Sequence, residues 1–220
     1  MALLPELLPD ELEMTKPDKQ ANEQTAKHNK AMKKHKEKID GCIVRAEEKR
    51  GVSILLTGNG KGKSSSAFGM AMRSLGYGFK VGIVQFIKGK QQSGEEIFIR
   101  EKHPEVYFWQ MGTGFTWDTQ DRNGDIAAAK TTWAHAQELL QDASYHLVIL
   151  DELTYMLNYE YLDEEMVLSA LRNRPEEQSV VVTGRGGGEA LRDLVDTVSE
   201  VQDIKHAFKS EVKARRGIDF

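Results

Sequence analysis

The chain changes pattern near residue 50. Residues 1 to about 50 are polar, whereas from Gly51 onward short apolar runs recur, separated by segments of helical period. The runs are Val52–Leu56, Val81–Ile87, Val106–Trp109, Leu147–Leu150, Val180–Thr183 and Val198–Gln202. Strands alternating with helices predict an α/β fold: a mainly parallel sheet flanked by helices. Between Asp121 and Asp142, Ile126, Ala129, Trp133, Ala136 and Leu140 recur every three or four residues, which gives a helix one apolar face and places Trp133 in the core. Another helix is expected from Asp163, as N-cap, to Asn173, ending before Pro175. There is no internal repeat.

Composition adds bounds to this picture. At 220 residues, 40% hydrophobic and 29% charged, the chain can form one substantial core with an appendage. The expected division is an N-terminal arm over residues 1–50 and an α/β domain over 51–220. The arm carries a basic run, Lys27, Lys30, Lys33, Lys34, Lys36 and Lys38, with His28 and His35 among them. Without interleaved aromatics or a hydrophobic face, it reads as a solvated helix or a disordered arm. A nucleic-acid or membrane patch, or a flap over a ligand site, are the alternatives. The net charge of -4 gives no overall basic excess to release counterions, so no nucleic acid is expected as main partner. A single cysteine, Cys42, precludes an intrachain disulfide and is consistent with a reducing compartment. No apolar run is long enough to span a bilayer, and Pro5, Pro9 and carboxylates interrupt the leucine-containing start. A cytoplasmic protein with no membrane partner is the expectation.

The chemistry begins at Thr57-Gly58-Asn59-Gly60-Lys61-Gly62-Lys63-Ser64, between the first apolar run and the small-residue stretch Ser65 to Gly69. A strand that enters a glycine turn and then a helix can aim successive backbone N–H groups and the positive helix end at a polyphosphate. Lys63 would neutralise phosphate charge, and Ser64 places a hydroxyl where Mg²⁺ takes a protein ligand. The usual spacing would require glycine at 57, where the chain has Thr57, so this loop is one residue short. The dinucleotide fingerprint is excluded, because its third glycine would fall on Lys63.

Three further stretches follow predicted strands, and in a parallel sheet ligands bind beyond the carboxyl ends of strands. Leu147-Val148-Ile149-Leu150-Asp151-Glu152 ends in two acids that with Ser64 outline a Mg²⁺ site, without saying which acid touches the ion. In Thr183-Gly184-Arg185-Gly186-Gly187-Gly188, Arg185 either clamps phosphate or is a surface residue. In Gly112-Thr113-Gly114-Phe115-Thr116-Trp117, an extended backbone would point Phe115 and Trp117 to one side, over a flat apolar ligand or into the core.

Taken in order, these motifs resemble the corrinoid adenosyltransferases of the P-loop type. The phosphate loop, Val84-Gln85-Phe86-Ile87-Lys88-Gly89, Gly114-Phe115-Thr116-Trp117, Leu150-Asp151-Glu152-Leu153-Thr154-Tyr155 and Thr183-Gly184-Arg185-Gly186 carry the resemblance. So do Asp196-Thr197-Val198-Ser199-Glu200, Lys205-His206-Ala207-Phe208 and Gly217-Ile218-Asp219. It covers about Gly51 to Phe220, and departs at Ser64 and Ser65, where threonines are usual, and in a longer arm. The resemblance implies that Co(I) of a reduced corrinoid attacks the 5′ carbon of ATP and releases triphosphate, with ATP lying in reverse compared with ordinary P-loop enzymes. It implies ATP binding by Gly58, Asn59, Gly60, Lys61, Gly62, Lys63 and Ser64, and Mg²⁺ on Ser64 and Glu152 supported by Asp151. Lys63 and Arg185 would serve the departing triphosphate, and Phe115 and Trp117 the corrinoid face, displacing its lower axial ligand. A reduced flavoprotein electron donor and a homodimer are implied too. The other readings are a P-loop NTPase making ADP and phosphate, and a corrinoid-binding protein switched by nucleotide.

Overall fold

The structure, a computed structural model, describes residues 16–87, 92–112 and 121–219. It divides into two units, Met1–Glu48 and Lys49–Phe220. In the first unit, α1 (Lys16–Arg45) is a single helix whose basic run is solvent-exposed.

The described residues of the second unit form six strands: β1 (Ser53–Thr57), β2 (Val81–Gln85), β3 (Tyr107–Gln110), β4 (Leu147–Asp151), β5 (Ser179–Thr183) and β6 (Thr197–Glu200). All pair in parallel, in the order β3-β2-β4-β5-β1-β6. Each predicted run thus became a strand, its bounds displaced by one or two residues. The main displacement is in the second, where pairing stops at Gln85 although Phe86 and Ile87 are also buried. Phe86 instead donates its N–H to the Asp151 carbonyl at 2.9 Å as the chain leaves the sheet.

Side chains of successive strand residues go to opposite faces. One face carries Leu55, Val84, Val148, Leu150, Val180 and Val182. Packed on it are α4 (Arg122–Gln141), through Ala129, Trp133, Ala136 and Leu140, and α6 (Glu164–Arg172), through Val167, Leu168 and Leu171. The short α5 (Leu153–Asn158) adds Leu153 and Met156, and α7 (Gly188–Leu194) adds Leu191. The other face carries Leu56, Val81, Ile83, Leu147, Ile149 and Val181 under α2 (Lys63–Gly76) and α3 (Gly94–Lys102). Burial on both faces explains why the central strands read as continuous apolar runs. Trp133 is 2% exposed, as its place in the helical stripe predicts. Asp163 caps α6 by accepting from the Met166 N–H at 2.8 Å.

The edge strand β6 is exposed along its length. It is anchored where it begins: Asp196 accepts from Arg50 Nη2 at 2.6 Å, and its other oxygen takes the N–H and hydroxyl of Ser53 at 2.8 and 2.7 Å. Among the described residues, no helix is long and apolar enough to cross a membrane.

Candidate active site

Because every strand runs the same way, the loops after β1, β4 and β5 meet at one edge of the sheet. There they line a cleft of about 800 Å³. Its floor is the loop Asn59–Ser64, its sides are α2, the start of α3, Asp151, Glu152 and Arg185, and its remaining wall comes from the segment after β6.

The phosphate loop is built by glycine. Gly58 and Gly62 hold φ of 98° and 123°, conformations that side chains disfavour. Gly60 lies so close to the following segment that an added Cβ would sit 2.6 Å from the Gln202 carbonyl. Its N–H donates to the Val201 carbonyl at 2.7 Å, which ties the loop to the chain beyond β6. At Gly62 the loop becomes α2, a helix with no side-chain cap and no acid in its first turn. The helices α3, α4 and α6 by contrast are capped by Ser93, Asp121 and Asp163. An uncapped, acid-free helix start leaves its N–H groups to an anion.

Lys63, the first residue of α2, is only 8% exposed and donates from Nζ to the Gly60 carbonyl at 2.9 Å. Burial lowers its pKa, helped by Arg185 and opposed by Glu152 and Asp151. Ser64 follows it on the cleft surface. The remaining loop lysine, Lys61, pairs with Asp219 at 3.1 Å and so bridges the loop to the C-terminal segment. Arg185 is exposed at the cleft, while its backbone carbonyl is fixed by Thr154 Oγ1 at 2.9 Å and Asn158 Nδ2 at 2.8 Å.

The two acids differ sharply in surroundings. Asp151 is 2% exposed and both its oxygens are engaged: Oδ1 accepts from Thr183 Oγ1 at 2.6 Å and Oδ2 from Gln85 Nε2 at 2.9 Å. Glu152 turns back toward the cleft through a left-handed backbone, φ 60°, a conformation costing about 1–3 kcal/mol for a non-glycine residue. Its N–H donates to Thr183 Oγ1 at 3.0 Å, and its Oε2 is buried with no hydrogen-bond partner. Burial, and then the neighbouring Asp151, push its pKa up to about 7, against the pull of Lys63 and Arg185. A buried carboxylate oxygen without a donor suits a cation. Among the described residues, no three His, Cys, Asp or Glu side chains converge as a ready-made metal site.

The structure therefore brings together the sequence-derived Gly58–Ser64 loop, Asp151, Glu152 and Arg185. Phe115 and Trp117, read as a corrinoid platform, fall in 113–120, outside the described residues. Sequence reasoning missed the hydroxyl of Thr183 between the two acids, and gave no role to Gln85. The stretches Lys205–Phe208 and Gly217–Asp219 carried the resemblance but no assigned place in the site, and His206, Phe208, Ile218 and Asp219 line the cleft. The polar residue ending each strand was the available signal for Thr183 and Gln85.

A parallel sheet whose first strand runs through a glycine turn into an uncapped helix, with acids at the end of β4, separated from β1 by β5, defines a P-loop nucleotide-binding protein of the α/β class. Comparison with known proteins narrows this class. The family described as ATP:corrinoid adenosyltransferase BtuR/CobO/CobP matches residues 49–220, and the chain belongs to it. It is 51% identical over 185 residues to a corrinoid adenosyltransferase of Escherichia coli (strain K12), covering 84% of this chain and 93% of that protein. It is 48% identical to one of Pseudomonas aeruginosa, over 90% of this chain and 98% of that protein. Identity is again 48% to the corrinoid adenosyltransferase CobA of Salmonella typhimurium, over 88% and 98% respectively. Membership makes the protein a transferase whose reaction moves adenosyl from ATP to a corrinoid.

Proposed function

We propose that the cleft holds ATP with its triphosphate on the Gly58–Ser64 loop, so that Co(I) of a reduced corrinoid attacks the 5′ carbon. The cobalt–carbon bond forms as the carbon–oxygen bond breaks, and the electron pair leaves on triphosphate. The observation that carries this reading is the convergence of buried Lys63, the uncapped start of α2 and the unpartnered Glu152 Oε2 in one cleft. Co(I) is already a strong nucleophile, so no general base is needed. The protein aligns the two reactants and stabilises charge on the leaving group. Lys63, Arg185 and the first N–H groups of α2 carry out that second task. Ser64 and Glu152 are the residues that would hold Mg²⁺, with Asp151 behind them. The ion, when bound, neutralises charge on the triphosphate.

Phe115 and Trp117 would take the corrinoid face. Removing the lower axial donor leaves four-coordinate Co(II), whose electron-accepting orbital lies lower, and a reduced flavoprotein would supply the electron. Trp117→Ala should then spare turnover of corrinoid supplied as Co(I) and depress turnover of Co(II) supplied with reductant, by up to about tenfold given stacking worth about 0.5–1.5 kcal/mol. Equal loss with both forms would make Trp117 a general binding or packing residue. A cytoplasmic location and a homodimer complete the reading, and light scattering on the purified chain tests the dimer. The corrinoid is either complete cobalamin or a precursor, which comparing the two as substrates would decide.

The decisive test mixes the protein anaerobically with Co(I) corrinoid and MgATP, following the cobalt spectrum and the phosphate product. A light-sensitive alkylcobalt spectrum with triphosphate is expected. ADP and phosphate without alkylation would replace the transferase by an NTPase. Corrinoid and nucleotide binding without any product would leave a nucleotide-switched carrier.

A further inference from the structure

Every strand of the sheet ends in a polar residue: Thr57, Gln85, Gln110, Asp151, Thr183 and Glu200. Gln85 stands in register with Gln110 on one side and Asp151 on the other. Their side chains form a continuous seam. Gln110 Nε2 donates to Gln85 Oε1 at 2.6 Å and to Glu96 Oε2 at 2.8 Å, and Gln85 Nε2 donates to Asp151 Oδ2 at 2.9 Å. Beyond Asp151, Thr183 Oγ1 donates to Oδ1 at 2.6 Å and accepts the Glu152 N–H at 3.0 Å.

The seam has a fixed polarity. Glu96, 2% exposed on α3, also receives Gln92 Nε2 at 3.1 Å and Arg100 Nε at 3.0 Å on its Oε1. With carboxylates at both ends, each glutamine amide has one favourable orientation, since a flip would set its oxygen against an acceptor. Gln85 is itself 9% exposed, so its bond to Asp151 has little competition from water.

We propose that Gln85 and Gln110 are positioning residues for the acid that holds Mg²⁺. Gln85, itself oriented by Gln110, orients Asp151, which leaves Thr183 aimed at the Glu152 N–H and keeps Glu152 in the left-handed turn that presents its free carboxylate oxygen to the phosphate loop. Without Gln85, a buried Asp151 oxygen loses its donor and the carboxylate rotates, taking Thr183 with it. This inference rests on the assignment of Glu152 to Mg²⁺. Partners behind a metal ligand typically govern metal affinity or activity by roughly 10- to 100-fold.

The test is calorimetric titration of ATP into the full chain, in EDTA and in excess Mg²⁺, for wild type, Gln85→Leu, Gln110→Leu, Asp151→Asn, Glu152→Gln and the Gln85→Leu/Asp151→Asn pair. Gln85→Leu should leave Mg²⁺-free ATP affinity within about twofold and cut the gain conferred by Mg²⁺ by about tenfold or more. Adding it to Asp151→Asn should cost less than about twofold further, because its effect runs through that carboxylate. Gln110→Leu, one residue further from the acids, should shift the same quantity less, and serves should Gln85→Leu fold poorly. Equal loss of ATP affinity with and without Mg²⁺, or full additivity with Asp151→Asn, would show glutamines that merely support the sheet and would overturn the proposal. A wild type indifferent to Mg²⁺, or a Glu152→Gln variant that keeps the full gain, would instead remove the metal assignment and this inference with it.

Discussion

Lys63 is held at the cleft floor by one bond to a backbone carbonyl of its own loop, a bond that a phosphate oxygen can readily supplement. Replacing it with alanine should therefore leave the fold intact. Adenosyl transfer, measured as kcat/KM for ATP, should fall by roughly 100- to 1000-fold, the usual consequence of losing one charge-stabilising group. Glu152 makes a prediction of a different kind. Its carboxyl titrates at about 7 in the unliganded protein, well above the ordinary glutamate value. Between about pH 4.5 and pH 7 the folded protein therefore binds a proton that the unfolded chain has released, and stability falls as pH rises. Glu152→Gln removes that penalty: by urea unfolding it should be more stable than wild type at pH 8, by up to about 3 kcal/mol, with no such advantage below about pH 4. Both residues were legible in sequence, Lys63 from its glycine context and Glu152 from its place at a strand end. What sequence left open was which of Asp151 and Glu152 keeps an oxygen without a donor, because that depends on donors arriving from residues 85 and 183.

At the scale of elements, the strands and the long helices declared themselves by pattern, since burial on two faces or along one stripe constrains residue type directly. The capping of α6 was equally readable, and Asp163→Ala should cost about 1 kcal/mol in thermal or denaturant unfolding. Adenosyl transfer should be unchanged, because α6 contributes nothing to the cleft wall. The segment beyond β6 was not readable as part of the site. Its apolar residues, Ile204, Phe208 and Ile218, are largely exposed, so no core pattern marks it, and its place over the phosphate loop rests on single polar ties.

For the whole second unit, acid and base sensitivity should come from opposite ends of the sheet. Asp196, at the base of β6, is held well below the usual carboxylate range by Arg50 and by the N–H and hydroxyl of Ser53. Its contribution is present above about pH 4 and is lost as pH falls further, the reverse of the Glu152 effect. A profile of unfolding midpoint against pH should thus climb out of acid, and then decline toward pH 7. Asp196→Asn should flatten the acid limb and Glu152→Gln the neutral decline, each independently of the other.

The common direction of the six described strands also gives the second unit an edge that carries the cleft and an opposite edge away from it. The turn before β5, at Pro175–Gln178, lies on that opposite edge, and Glu177 there is exposed. Since Cys42 is the only cysteine, a Cys42→Ser chain carrying Glu177→Cys would accept a single thiol-reactive label. Such a handle would let the protein be immobilised with its cleft facing outward, or carry a fluorophore that reports rotation of the molecule without touching either substrate.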